Sequence, residues 1–266
     1  MHFQHLEVEI QGPIATLWLN RPDVRNALDE VLLAEITQAV TELERNVAVR
    51  VLVLAGRGKV FCAGADLNWM KRMASYSDAQ NQADAMGLAT MLKTVHGASK
   101  PVIARVHGHA FAGGMGLAAA CDVIVAEPAA EFCLSEVRIG LIPSTISPYI
   151  LQALGIQAAK RYMLTAERIS AQEAHRLGFV QALSAPGAID QAVARIAQAL
   201  VAAGPKALTQ TKTLINTVAN RSMDEDLITE TAGLIAKVRA SSEGREGVAS
   251  FLEKRQPGWL PQGPGI

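Results

Sequence analysis

Two short runs of small residues have the composition to do chemistry together. Phe61-Cys62-Ala63-Gly64-Ala65-Asp66-Leu67 is the first, and Gly108-His109-Ala110-Phe111-Ala112-Gly113-Gly114-Met115-Gly116 is the second. Each follows an apolar, strand-like stretch and leads into a helix-like one. Small residues at such junctions let main-chain N–H groups approach a ligand closely. A helix N-terminus behind them adds unsatisfied N–H donors and partial positive charge. Two N–H groups converging on one oxygen make an oxyanion hole, which stabilises an enolate formed from a carbonyl compound. The glycines also admit a plainer reading, tight packing of a helix against a strand. That explains Gly116 well, whereas the pairing of two such loops favours a functional Gly113. Dinucleotide binding is rejected, because no acidic residue follows the glycines at the required place in a βαβ frame.

The elements that must position these loops follow from periodicity. Residues 5–10 alternate, Gln11-Gly12-Pro13 turns the chain, and Ile14 to Leu19 returns as a second strand. Residues 28–46 carry a helical apolar stripe, and Val49 to Ala55 is a β-branched run that predicts a buried strand. Helical patterns cover 66–74 and 78–97. Pro101 to Val106 predicts another buried strand, 113–120 a helix, and Val123 to Val125 and Glu131 to Leu134 two more strands. Beyond about residue 144 the pattern is helical, apart from Phe179 to Leu183 and turns at 186–187 and 204–205. Strands recurring with crossover helices predict an α/β fold with mostly parallel pairing. A strand–strand–helix unit recurs near 5–46, 49–97 and 101–121.

The bulk properties narrow the function. The chain has 266 residues, half of them hydrophobic and 19% charged, enough for one large core. Its 25 basic and 25 acidic residues balance, so no excess of positive charge recommends nucleic acid, and near-neutrality favours self-association. The apolar stretch from Pro101 to Ala126 is interrupted by Arg105, His107, His109 and Asp122, which argues against a membrane span. No basic and apolar leader pattern opens the sequence, so no signal peptide is expected. Cys62, Cys121 and Cys133 are odd in number and lack metal-type spacing, and are read as reduced, buried thiols of a cytoplasmic protein. His107 and His109 lack a third ligand, so no metal is assigned. Asp122 reads as a structural buried carboxylate.

The loops, together with Lys100-Pro101-Val102-Ile103-Ala104, Cys121-Asp122 and Phe132 through Ile142, resemble the crotonase superfamily of enoyl-CoA hydratases and isomerases. Thr165-Ala166-Glu167-Arg168-Ile169-Ser170-Ala171 resembles that family's "TG-x-x-x-x-A" segment, and Phe251-Leu252-Glu253-Lys254-Arg255 its C-terminal "F-x-x-K-R" signature. The resemblance runs along essentially the whole chain. It implies a spiral of ββα units in a core at 1–200, and a helical region at 201–266 that drives assembly into a trimer or a dimer of trimers. It also implies an acyl-CoA substrate, with coenzyme A as part of that substrate and no separate cofactor. The main-chain N–H groups of Ala65 and Gly113 would hold the thioester oxygen. Ala63, Asp66 and Leu67 would line the adenine side of the coenzyme A site, Arg25 would approach its phosphates, and Lys254 would add a charge there.

The family's hydratases use two glutamates. One matches Glu136 in Ser135-Glu136, and the other falls on Gly116. The single remaining carboxylate could serve as base toward water and then as acid toward Cα, or could shuttle a proton from Cα to Cγ. The segment Phe132 through Pro143, with Ile146-Ser147-Pro148 and Asp66-Leu67-Asn68-Trp69-Met70, is similar to bacterial methylglutaconyl-CoA hydratases. The expectation is hydration of 3-methylglutaconyl-CoA or a similar branched enoyl-CoA, with Lys71, Arg72 and Arg138 as candidate partners for a distal carboxylate. Two alternatives stand beside it. One is a Δ3,Δ2-enoyl-CoA isomerase, and the other is a non-catalytic member of the fold that binds acyl-CoA or RNA.

Overall fold

The structure, a computed structural model, describes residues 2–219 and 221–260. Strands β1 (Leu6–Gln11) and β2 (Ile14–Leu19) form the hairpin read from the sequence, and helix α1 (Glu30–Arg45) follows. Asp29 caps α1 by accepting from the Leu32 N–H at 2.9 Å, so the helix begins two residues after the apolar stripe does. Strand β3 (Val51–Gly56), helices α2 (Leu67–Met73) and α3 (Asp78–His96), and strands β4 (Val102–Val106) and β5 (Ala110–Phe111) come next. Helix α4 (Gly113–Ala119), strands β6 (Val123–Ala126) and β7 (Glu131–Cys133), and helix α5 (Ser147–Thr165) complete the site-bearing part. The remainder is β8 (Ile169–Ser170), α6 (Ala171–Arg176), β9 (Ala182–Leu183) and helices α7 (Ile189–Ala202), α8 (Pro205–Val218), α9 (Glu225–Ala240) and α10 (Ser242–Leu252).

The main sheet has the order β1-β2-β3-β4-β6-β9, antiparallel only between β1 and β2. Its central strand β3 is buried throughout and its residues alternate between two apolar layers. Leu52 and Leu54 face the larger core with Leu32, Ile36 and Leu43 of α1. Val51 and Val53 face the opposite side with Ile103, Val125 and Val193 of α7. The first unit keeps both its strands in this sheet, whereas β5 and β7, which follow β4 and β6, leave it and with β8 build a smaller sheet ordered β5-β7-β8. In the second unit the corresponding strand shrinks to a single bridge, Cys62 against Ala110. From β3 onward the repeated unit is thus a strand in one sheet, a strand or bridge in the other and a helix, wound as a spiral.

Three local readings are adjusted. Of Phe179 to Leu183 only Ala182–Leu183 pairs as strand, because the Phe179 and Val180 N–H groups both donate to the Ala174 carbonyl and close α6. Strand β8, which pairs antiparallel with β7, had no sequence signal at two residues' length. Ala166 is left-handed at φ 52° and ends α5, at the place where the family motif has glycine.

Helix α8 and the turn before it fasten the C-terminal helical region to the strand-start end of the sheet. Arg50 donates to the Ala203 carbonyl at 2.7 Å, Thr209 to the Ser99 carbonyl at 3.1 Å, and Lys212 pairs with Asp122 at 2.7 Å. Several large apolar side chains of this region face outward, among them Ile228, Ile235, Phe251 and Leu252. No described helix is long and apolar enough to cross a membrane.

Candidate active site

The two small-residue loops lie side by side at the strand-end side of the sheet. The Phe61 and Cys62 N–H groups donate to the His109 carbonyl at 3.1 and 3.0 Å, and the Phe111 N–H returns to the Cys62 carbonyl at 3.0 Å. Small residues permit this approach: a Cβ on Gly114 would lie 2.6 Å from the Cys62 carbonyl oxygen. Gly64 is at φ 99°, a conformation open mainly to glycine.

The direction of the Ala65 N–H follows from its neighbours. Leu28 donates to the Gly64 carbonyl at 2.7 Å and accepts from the Asp66 N–H at 2.8 Å. A trans peptide points its C=O and N–H in opposite directions, so the Ala65 N–H faces away from the Leu28 main chain. Gly113 is the first residue of α4, where N–H groups have no partner within the helix. Neither N–H meets an acceptor among the described residues. The small sheet brings Glu136 to the same end. Phe111 registers against Cys133, the Ala112 N–H donates to the Cys133 carbonyl at 2.7 Å, and the chain then turns into a single 3-10 turn at Glu136–Ile139.

Glu136 is half-buried, and its Oε2 is shielded from solvent with no hydrogen-bond partner among the described residues. Burial pushes its pKa above the usual carboxylate value, against a smaller opposing contribution from its own backbone N–H. Gly116 lies on the buried side of α4 with the side chain of Ile146 pressed against it. The Gly116 position therefore places no second carboxylate beside Glu136.

Arg25, Ala63, Ala65, Asp66 and Leu67 line a single cleft of about 570 Å³ together with Lys71. A neighbouring cleft of about 640 Å³ is lined by Arg25, Lys59 and His109. Arg25, Lys59 and Lys71 are exposed and take part in no ion pair among the described residues. The carboxylate of Asp66 is already engaged, accepting from the Asn68 and Trp69 N–H groups at the start of α2 and from Arg21. Burial alone would raise its pKa, but those donors outweigh it and hold it low. Lys254 lines neither cleft. It lies close in sequence to Trp259, whose indole donates to the Ala202 carbonyl near the opposite end of the sheet. The candidates for a distal carboxylate divide. Arg72 pairs with Glu30, Arg138 donates to the Ala166 carbonyl at 2.5 Å, and Lys71 is left in the cleft.

Sequence reasoning missed Arg21, Lys59 and Ile146. Asn20-Arg21-Pro22 reads only as a loop, and one partner of Arg21, Asp66, lies 45 residues along the chain. Among the described residues no three His, Cys, Asp or Glu side chains group as metal ligands.

With this geometry in view, the chain is comparable to known proteins along its length. The family model described as enoyl-CoA hydratase/isomerase matches residues 9–262. The crystal structure of an enoyl-CoA hydratase from Shewanella pealeana is 40% identical, with a TM-score of 0.94 over 97% of this chain and 96% of that one. The crystal structure of an enoyl-CoA hydratase from Mycobacterium smegmatis is 34% identical, with a TM-score of 0.90 over 96% of this chain and 99% of that one. A crotonyl-CoA hydratase from Syntrophomonas wolfei is 32% identical over 262 residues, 98% of this chain and 99% of the relative. The fold is the α/β spiral of the crotonases. The chain belongs to the enoyl-CoA hydratase/isomerase family.

Proposed function

We propose that the protein is a hydro-lyase that adds water reversibly to a 2-enoyl-CoA. The observation that carries this reading is the lone, half-buried Glu136 at the same end of the fold as two unoccupied N–H groups, those of Ala65 and Gly113. In the forward direction Glu136 accepts a proton from water as the oxygen bonds to Cβ. The electrons of the Cα–Cβ double bond move onto the thioester oxygen, where the two N–H groups stabilise the enolate. Protonated Glu136 then returns a proton to Cα. A carboxyl whose pKa burial raises above the usual carboxylate value suits both half-steps. Arg25 and Lys71, with the main chain at Ala63, Asp66 and Leu67, hold the coenzyme A portion.

The narrower proposal is a branched acyl group, 3-methylglutaconyl-CoA or a close analogue. Its support is the likeness of the Glu136 segment to methylglutaconyl-CoA hydratases. The working assembly we propose is a homotrimer or a dimer of trimers in the cytoplasm. The outward apolar side chains of the C-terminal helices and three unpaired thiols support that reading.

One observation favours a second reading. The place of a second carboxylate is taken by Ile146, which suits proton transfer between Cα and Cγ without water uptake, a Δ3,Δ2-enoyl-CoA isomerisation. The test is a parallel assay on 3-methylglutaconyl-CoA, crotonyl-CoA and a 3-enoyl-CoA, with Glu136→Gln as control. Hydration that the variant loses supports the main proposal, and isomerisation alone moves the assignment to the second.

A further inference from the structure

We infer that Arg21 is a positioning residue for the reaction, acting through the direction of the Ala65 N–H. This rests on the proposal that Ala65 donates to the thioester oxygen. The Arg21 side chain is only 14% exposed and engages both sides of the Leu28–Ala65 bridge. One guanidinium nitrogen meets Asp29 at 3.1 Å and Asp66 at 2.9 Å, and the other donates to the Ala27 carbonyl at 2.5 Å.

Each of those carboxylates already caps a helix. Asp29 accepts from Leu32 at the start of α1, and Asp66 from Asn68 and Trp69 at the start of α2. Arg21 thus ties two helix starts together across the bridge in which Leu28 bonds to Gly64 and Asp66. That bridge fixes the Gly64–Ala65 peptide plane, and the plane fixes where the Ala65 N–H points. A guanidinium suits the task because its planar fork satisfies several acceptors at fixed angles, which a lysine ammonium does not reproduce. Two carboxylates in one buried spot also need a cation between them.

An oxyanion donor is sensitive to aim, since removal of one lowers kcat on the order of 10²- to 10³-fold. Arg21→Lys keeps the charge and loses the fork. It is expected to lower kcat by roughly 10-fold or more, with KM for the acyl-CoA nearly unchanged. Asp66→Asn is the second variant. It retains an N-cap residue for α2 while weakening the tie to Arg21, and is expected to show a smaller fall in kcat.

The decisive readout is spectroscopic. Acetoacetyl-CoA bound to the full-length wild-type protein is expected to show enrichment of its enolate absorption, and Arg21→Lys is expected to lose that enrichment while still binding the thioester. Enrichment in wild type that survives in both variants, or a fall in kcat that only tracks the folded fraction, overturns the inference and leaves the site reading standing. Absence of enrichment in wild type overturns the site reading, and the inference falls with it.

Discussion

Ile146 occupies the space that any side chain at Gly116 would need. A Cβ placed on Gly116 would lie 2.2 Å from Ile146 Cγ2 and 2.6 Å from Ile146 Cβ. Ile146 is 2% exposed and stands at the start of α5, so it has little room to retreat. The absence of a second glutamate is therefore built into the packing of α4 against α5. Gly116→Glu is expected to destabilise the fold by about 3 kcal/mol, the upper part of the range for overpacking a core. Gly116→Glu combined with Ile146→Ala is expected to recover part of that loss. Urea denaturation of the two single variants and the double variant measures the coupling. Strict additivity would mean that the two positions do not share the space.

Glu136 makes a prediction about stability and pH. Its folded-state pKa is raised by burial above the ordinary value of 4.5. A raised carboxyl pKa means that the folded protein holds its proton more tightly than the unfolded chain does. Stability from this group is then complete below pH 4.5 and is lost as pH rises through the folded value. At neutral pH the ionised carboxylate is a net burden. Glu136→Gln is expected to melt higher than wild type at pH 7 and equally at pH 4, while activity is lost at both. Thermal melts across that range check the sign.

Cys62 is expected to be inert in the folded protein. It is fully buried, and burial pushes its thiol pKa up to about 12. The thiolate is the reactive species, and at pH 8 it would be about one part in ten thousand of this thiol even if solvent reached it. Iodoacetamide at pH 8 is expected to label Cys62 only after denaturant is added. Peptide mass spectrometry with and without urea reads the result, and rapid native labelling would mean that this loop opens.

How far the site could be read from sequence depends on the range of each interaction. The loops at 61–67 and 108–116 were legible because close main-chain approach demands small residues, and small residues are visible one at a time. The main sheet was legible because a buried parallel strand such as Val51–Gly56 needs an unbroken apolar run. In the small sheet, Glu131–Cys133 was legible as a strand, but its shortest pieces were not. Cys62 pairs through one bridge and Ile169–Ser170 through two residues, too few for any periodicity. Arg21 escaped notice because its meaning lies in Asp29 and Asp66, one nearby and one distant in sequence. Ile146 escaped because a filled notch depends on two helices whose packing no local pattern records.

The cations of the cleft give the last prediction. Arg25 lines both clefts, is exposed, and takes part in no ion pair among the described residues, so its charge is available to a phosphate. Arg25→Glu is expected to raise KM for an acyl-CoA by roughly 10-fold, about the 1.4 kcal/mol that one exposed phosphate contact and its reversal would supply. The effect should shrink with added salt, because the contact is open to solvent. Lys254 lies outside this cleft in its own chain. In the homotrimer proposed above, a contribution from it would come from a second copy. Lys254→Glu is expected to raise KM less than Arg25→Glu does. Assembly with an excess of Glu136→Gln subunits, which are inactive but carry native Lys254, is expected to restore the KM of the active Lys254→Glu subunits. Steady-state kinetics on the mixed oligomers decides the matter: an unrestored KM would assign the defect to local disruption near Trp259 rather than to a lysine supplied across an interface.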